Sequence, residues 1–442
     1  MSGGQSLGTG PGIGQVARLW WPLAASWAMM GLEGPAITAV VARLADPEVH
    51  LAAYGGLVFP LALFIEAPII MLLAASTALS RDRVSYRRLR KYTHVLSASL
   101  TLGHVLLVFT PLYLLVARGA IGVPEEIVEP GRLGLMIILP WTWSIAYRRF
   151  NQGLLIRCGH SLSVGLGTAI RLAANFGTLA LGYHLALPGI VVAATATAAG
   201  VMSEAAFVGL RVRPVLRRRL PEGSDSPPLE LRSFLQFYIP LSLTPLIFLL
   251  SRPVGSAAIS RMPEALDALA VWPVLTGVVF LVRSVGMAYN EVMVAMLDRP
   301  GTWWALRRFA GLLACLSGAI LLGLALSPLG RLWMERVSGL APRLAALGDQ
   351  ALILAVLLPV LTVIQNWLQG IVLYSRKTRA ITEAVVMFFT VNGVLLVAGV
   401  MWGGASGLFV ALIAMTAGEI ARTLWLAWRS RGTRAYLRAR DA

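Results

Sequence analysis

Five ionisable side chains, Glu33, Glu66, Arg171, Arg252 and Arg283, stand inside stretches that are otherwise apolar. A charge in such surroundings is costly and by default faces a partner or a watery cavity. Arginine offers a planar fork of donors that never deprotonates and matches phosphate or carboxylate. Arg171, Arg252 and Arg283 therefore point to a small anionic substrate: a di- or tricarboxylate, pyrophosphate or a nucleotide. A carboxylate held away from bulk water can take up and release a proton, so Glu33 or Glu66 is expected to serve any coupling proton or cation. Amides extend the set. Thr168, Arg171, Asn175 and Thr178 recur at spacings of three and four, which puts them on one helix face. Arg283 and Asn290 share a face two turns apart. Gln365, Asn366 and Gln369 form a third polar group, which reads equally as helix–helix hydrogen bonding.

Bond-making chemistry has no comparable signature. His50, His94, His104, His160 and His184 are scattered, without an HExxH or a nucleophile motif. Cys158 and Cys315 have no metal spacing. No catalytic residue, metal or cofactor is expected, and a membrane-embedded enzyme is the least favoured class.

The elements that carry these residues follow from composition. Of 442 residues 57% are hydrophobic and 13% charged, with a mean hydropathy of +0.73, which no soluble chain of this length could cover with polar surface. A membrane-spanning helix needs roughly 20 apolar residues. Twelve candidate segments lie near 18–43, 51–79, 93–117, 133–156, 161–186, 189–210, 234–260, 268–297, 309–328, 351–373, 381–402 and 407–428. The expected fold is an all-α integral membrane protein of twelve transmembrane helices in two six-helix lobes. A net charge of +17 would suit nucleic acid, but the excess sits in short loops, where positive charge sets topology; no nucleic acid partner is expected. Arginines crowd the loops around 81–91, 211–232, 299–308 and 376–379 and the tail from Arg429, whereas the opposite loops are diluted by Glu125, Glu126, Glu129, Glu264 and Asp349. This bias puts both termini in the cytoplasm, in a multi-pass inner-membrane protein. The glycine-rich start lacks a charged n-region, unlike a cleaved signal peptide.

The two halves repeat. WPL at 21–23 matches IPL at 239–241 (240 − 22 = 218), and near that offset Pro35 matches Pro253, Arg43 matches Arg261, LRKY at 89–92 matches LRRF at 306–309, and Asn175 matches Asn392. Six spans per repeat give both halves one orientation, an arrangement that places a substrate path between them. Pro35 and Pro253 each remove a helix hydrogen bond and are expected to act as hinges. The division is a flexible N-terminal tail at 1–17, an N-terminal lobe at 18–216, a cytoplasmic linker at 217–232, a C-terminal lobe at 233–429 and a basic tail at 430–442.

Glu33 and Arg252 occupy nearly equivalent places in the repeat, as do Glu66 and Arg283. Two readings stay open for each pair: a salt bridge between lobes, breaking on opening, or separate groups lining the cavity. Arg171 has no obvious acidic partner in its own half and is expected to line the cavity. Glu204, Glu419 and Arg422 read as structural pairs near the inner face, and Arg148 and Arg149 as interfacial residues that snorkel.

Certain motifs are familiar. LEGPAITAVVAR followed by LAAYG at 51–55, LSRPVGSAAISR at 250–261, and SRDR at 80–83 resemble segments of the progressive ankylosis (ANK) family. That resemblance implies the multidrug/oligosaccharidyl-lipid/polysaccharide (MOP, MATE-like) exporter superfamily, whose fold is a V of two six-helix lobes around a central cavity. Animal members are associated with export of pyrophosphate, ATP and citrate, and Glu33, Arg252 and Arg261 match the family's motif positions. The expected function is an alternating-access exporter of a small anion, acting as a monomer in the lipid bilayer. The alternatives are a flippase of a lipid-linked (pyro)phosphate headgroup and a cation-coupled multidrug exporter.

Overall fold

The computed structural model describes residues 12–222, 229–377 and 379–442. Every regular element among them is helical. The chain forms α1 (Ile13–Val41), α2 (Pro47–Leu79), α3 (Arg83–Phe109), α4 (128–157), α5 (Ser161–His184) and α6 (Gly189–Arg219). The second half repeats the series as α7 (Leu231–Ile259), α8 (Ala265–Met296), α9 (Trp303–Leu326), α10 (Pro342–Tyr374), α11 (Arg379–Trp402) and α12 (Gly407–Arg429), followed by a short α13 (Arg431–Arg440). Ten of these helices are long and apolar enough to cross a membrane. The other two of the twelve are α1, which holds Glu33, and α4, which holds Arg148 and Arg149; their charges lower the hydropathy, not the length. The molecule is a multi-pass membrane protein.

Boundaries differ from the expected ones where capping chemistry overrides hydropathy. α3 begins at Arg83, ahead of the expected 93, because the Asp82 side chain caps it by accepting from the Ser85 amide at 2.8 Å. α1 begins at Ile13, inside the expected tail; residues 1–11 of that tail and 223–228 of the linker lie outside the described residues. The expected basic tail folds as α13. Prolines set the internal breaks: α4 is interrupted at Ile138, two residues before Pro140, and α10 at Val356, three before Pro359.

The repeat is legible in the backbone. Left-handed residues recur at matching turns: Asp46 and Glu264 stand 218 apart, while Gly122 and Gly339, Gly159 and Arg376, and Ala186 and Gly403 each stand 217 apart. π-helical turns recur too, at Leu115–Ile121 and Trp333–Val337. Within each half the sixth helix packs along the fourth and fifth. Between halves, α1 lies along α8, and α7 along α2.

α1 begins and α13 ends at one end of the bundle, where Val16 and Leu437 join one apolar cluster. At the opposite, far end the halves touch closely. There α2 contains a π-helical turn, Ala53–Val58, with Gly55 and Gly56 facing α8. A Cβ on Gly55 would fall 2.3 Å from Pro273, and one on Gly56 2.8 Å from a Leu269 methyl. Only glycine permits this approach, the small-residue packing by which helices associate without a hydrophobic drive. Gly31 against Leu281 and Gly277 against Pro35 continue the seam along α1 and α8.

Candidate functional site

Each half holds one buried ionic network, and in both the fourth helix binds a carboxylate of the sixth. In the N-terminal half, a Cβ on Gly200 would meet the Arg171 carbonyl at 3.2 Å, and one on Gly167 the Glu204 side chain at 3.2 Å. These glycines bring α5 and α6 together, so that Arg171, Asn175 and Glu204 share a layer. Arg171 donates to Glu33 on α1 and stands 4.0 Å from Glu204. Asn175 Nδ2 donates to Glu33 Oε1 at 3.2 Å and to the Ala196 carbonyl at 3.3 Å. Below them Arg148 donates to Glu204, and Gln152, one turn along α4, donates to it at 2.9 Å. Glu66 is buried nearby, and the charges acting on it are those of Arg148, Arg149 and Arg171. Glu33 and Glu204 thus pair with Arg171 and Arg148, and Glu66 and Arg149, which make no ion pair among the described residues, complete a set of three acids and three guanidiniums.

The C-terminal half differs in balance. Arg283 on α8 donates through Nε to Thr362 Oγ1 at 2.7 Å and through a terminal nitrogen to Glu419 Oε1 at 2.9 Å. Gln365 donates to Glu419 Oε2 and to Thr423, both at 2.9 Å. Arg422 reaches the same carboxylate at 3.4 Å and lies 5.6 Å from the centre of the Phe248 ring on α7. Arg252, one turn beyond Phe248, has no hydrogen bond or ion pair among the described residues, and the charge acting on it is that of Arg283. Two guanidiniums, Arg283 and Arg422, therefore share a single carboxylate, and Arg252 adds a third positive charge within the field of Arg283. Glu419 is buried, whereas Arg283 and Arg422 keep 18% and 14% of their side-chain surface open.

These pairings decide between readings left open and correct others. Glu33 is bound to Arg171 and not to Arg252, and Arg283 to Glu419 and not to Glu66; Glu66 and Arg252 themselves have no ion pair among the described residues. Arg171, expected to lack an acid there, has Glu33 on α1. Arg148, expected to snorkel, is buried and holds Glu204. The i,i+4 pair Arg148 and Gln152 on α4 was the available signal, as was the matching of Arg148 with Gln365 at an offset of 217: in both halves the fourth helix binds a carboxylate of the sixth. Asn366 spends its amide on the Thr362 carbonyl of its own helix at 2.8 Å. Asn290 lies just past the α8 interruption at Ala288, with Oδ1 buried and without a partner among the described residues. Pro35 seats against Gly277, and Pro253 is buried within α7.

Sequence reasoning missed a second feature, at the far end. Arg43, just past α1, donates to the carbonyls of Arg336 at 2.5 Å and Val337 at 3.1 Å in the other half. Its repeat equivalent Arg261, just past α7, donates to the carbonyls of Gly119 and Ala120 at 2.8 Å and Ile121 at 2.5 Å in the first half. Both targets are the last turns of the π-helical segments, whose carbonyls have no helical continuation. Gly122 and Gly339, both with positive φ, close those turns and make room for the guanidiniums: a Cβ would meet Arg261 at 3.3 Å and Arg43 at 2.9 Å.

No family model matches the chain, and no curated protein matches it. Solved structures do. An inward-facing multidrug resistance MATE family transporter of the MOP superfamily aligns at TM-score 0.71 and 16% identity, over 95% of this chain and 99% of that one. The lipid II flippase MurJ, in an inward closed conformation, aligns at TM-score 0.72 and 13% identity, over 95% and 90%. An outward-facing MATE family transporter of the MOP superfamily gives TM-score 0.63 at 16% identity, over 97% of each chain. At such identities the likeness is one of fold: the chain has the helical architecture of MATE and MOP transporters.

Proposed function

We propose that this chain is an alternating-access transporter that carries a small multivalent anion between its halves. The observation that carries this reading is the charge balance of the C-terminal half, where Arg283 and Arg422 share one carboxylate, Glu419, and Arg252 has no ion pair among the described residues. Two uncompensated guanidiniums in an apolar surround attract an anion with two or more charges, such as a di- or tricarboxylate or a pyrophosphate. The N-terminal network, with three acids against three arginines, does not call for one. The motif resemblance to the progressive ankylosis family points to the same substrate class, and Arg252 lies in one of the resembling motifs.

The cycle follows from the contacts. Close packing at Gly55, Gly56 and Gly31, together with the two arginine clasps, holds the far end shut, as in an inward-facing state; the higher score against the inward-facing than the outward-facing relative agrees. Opening the far end would break the clasps and part α1 from α8. Pro35 and Pro253 supply the bends. We place both termini in the cytoplasm of an inner-membrane protein on the loop-charge asymmetry, and divide the lobes near residues 217–232. Glu33 and Glu66 are the candidates for a coupling proton or cation.

Reconstituted counterflow tests the reading, with labelled citrate, pyrophosphate, ATP, a lipid pyrophosphate and a cationic dye offered in turn. Expected is exchange of one or more of the free anions. Movement of the lipid pyrophosphate alone would make the chain a flippase, and movement of the dye alone would make it a drug exporter.

A further inference from the structure

The end of the bundle where α1 begins and α13 lies bears a group of guanidiniums that the transport reading does not use. Arg307 and Arg308 lie on the second turn of α9, and Arg431, Arg434 and Arg438 on α13; none has a carboxylate within ion-pair distance among the described residues. Two tryptophans organise them. The Trp304 ring has Arg307 at 5.6 Å and Arg438 at 6.0 Å from its centre, and the Trp428 ring has Arg429 and Arg431 each at 5.7 Å. A cation over a ring face is attracted by the ring quadrupole and still has donors free for an anion.

α13 is fixed, not trailing. Leu437 is buried, and Arg440 donates to the carbonyls of Leu297 at 3.1 Å and Arg299 at 3.2 Å. Asp441 accepts from the Trp303 amide at 2.8 Å, a carboxylate placed at the N-terminus of α9 where the helix dipole favours it. This pinning fixes Arg438 at the surface beside Trp304 of α9, with Arg431 at the other end of α13 beside Trp428.

The helix faces that end at these arginines continue as exposed apolar stripes. Arg308 is followed at four-residue steps by exposed Leu312, Leu316 and Ile320, and Trp428 is preceded at the same spacing by exposed Leu424 and Ile420. Apolar stripe, tryptophan, then guanidinium is the order in which a bilayer presents acyl chain, interface and headgroup. A free anion in water would need no stripe.

We propose that Arg308, Arg431 and Arg438, with Trp304 and Trp428, form a binding shelf for the headgroups of anionic phospholipids. It is independent of which solute the protein carries. Because α13 is tied to the turn between α8 and α9, a lipid seated there also braces the helix that bears Arg283.

The test uses the full chain in phosphatidylcholine nanodiscs doped with phosphatidylglycerol, read by native mass spectrometry. Expected is preferential retention of phosphatidylglycerol, reduced about tenfold or more in Arg308→Gln/Arg431→Gln/Arg438→Gln. The reduction should be absent from Arg87→Gln/Arg90→Gln/Lys91→Gln, which removes three exposed charges at the same end. Equal loss in the two triple variants, no loss in the first, or displacement by free glycerol phosphate would overturn the proposal. A photoactivatable phosphatidylglycerol on the unaltered protein gives a second readout that does not depend on folding of a variant. It should label residues 304–308 and 428–438, and labelling confined to other parts of this end would contradict the shelf.

Discussion

Arg43 and Arg261 occupy equivalent positions in the two repeats, and each donates to the terminal carbonyls of a π-helical turn in the opposite half. The clasps are reciprocal because the repeat is: the residue after the first helix of one half meets the turn after the third helix of the other. Backbone carbonyls make them independent of the partner's side chains, and arginine keeps them charged at any pH.

Removing one clasp should loosen the far end without unfolding either half. Arg261→Ala is expected to cost the closed state about 1.5 kcal/mol, the low end for a charged donor, because the guanidinium is partly solvent-exposed. That is roughly a tenfold shift toward the open far end, and Arg43→Ala/Arg261→Ala should shift it further. Spin-label distances across the far end, or thiol labelling of a cysteine placed there, would read the change.

Packing at the same seam gives a sharper prediction. In Gly55→Val the new side chain would occupy the space of the Pro273 ring, since the Cβ alone falls 2.3 Å from it. Closure of the far end should be blocked and transport lost, while Gly103→Val, on α3 with nothing within 4 Å, should transport normally. A Gly55→Val protein that still closes would mean that α2 and α8 can slide past each other.

Arg148 and Glu204 test the N-terminal network as structure. Both side chains are buried, so Glu204→Leu leaves an uncompensated guanidinium and should destabilise the protein by roughly 3–5 kcal/mol. Arg148→Met/Glu204→Leu should recover most of that loss, because two apolar groups replace the pair. Thermal unfolding in detergent decides; a double variant as unstable as the single would show that Gln152 and Arg171 also depend on the pair.

Much of this was legible in the chain, and the misses have one cause. Hydropathy and the repeat disclose the spans, and the prolines disclose the breaks. The depth of Glu33, Arg171, Arg252 and Arg283 follows from rise per residue. Partner choice does not, because it depends on how each helix is rotated. Glu33 and Arg252 match in the repeat, which leaves open whether they meet; in the structure Glu33 meets the fifth helix of its own half and Arg283 the fourth and sixth of its own, while Arg252 has no ion pair among the described residues. The clasps escaped for another reason. Their acceptors are carbonyls freed by π-helical turns, and no side chain marks them.

The Asp441 side chain gives a pH dependence with a defined sign. Burial alone would raise the Asp441 carboxyl, but hydrogen bonds from Arg440 and from the Gly301 and Trp303 amides outweigh it and hold it at about 2, below its ordinary 3.8. A depressed value means that the docking of α13 is stabilised above pH 3.8 and that this stabilisation is lost as pH falls toward 2. Hydrogen exchange at residues 297–303 should stay constant from pH 7 to about 5, once corrected for intrinsic rates. Asp441→Asn should raise it throughout. Exchange in the unaltered protein that rises with pH in that window would contradict the assignment.

Arg252 provides the most direct measurement of the anion reading, because it has no ion pair to lose. In Arg252→Gln the fold should melt as the unaltered protein does, while uptake of the carried anion into proteoliposomes falls by about tenfold or more, the loss expected for a charged hydrogen bond to substrate. Glu33→Gln should keep binding that anion even where coupling is lost. If Arg252→Gln folds and still carries the anion at the unaltered rate, the C-terminal arginines are not its binding site.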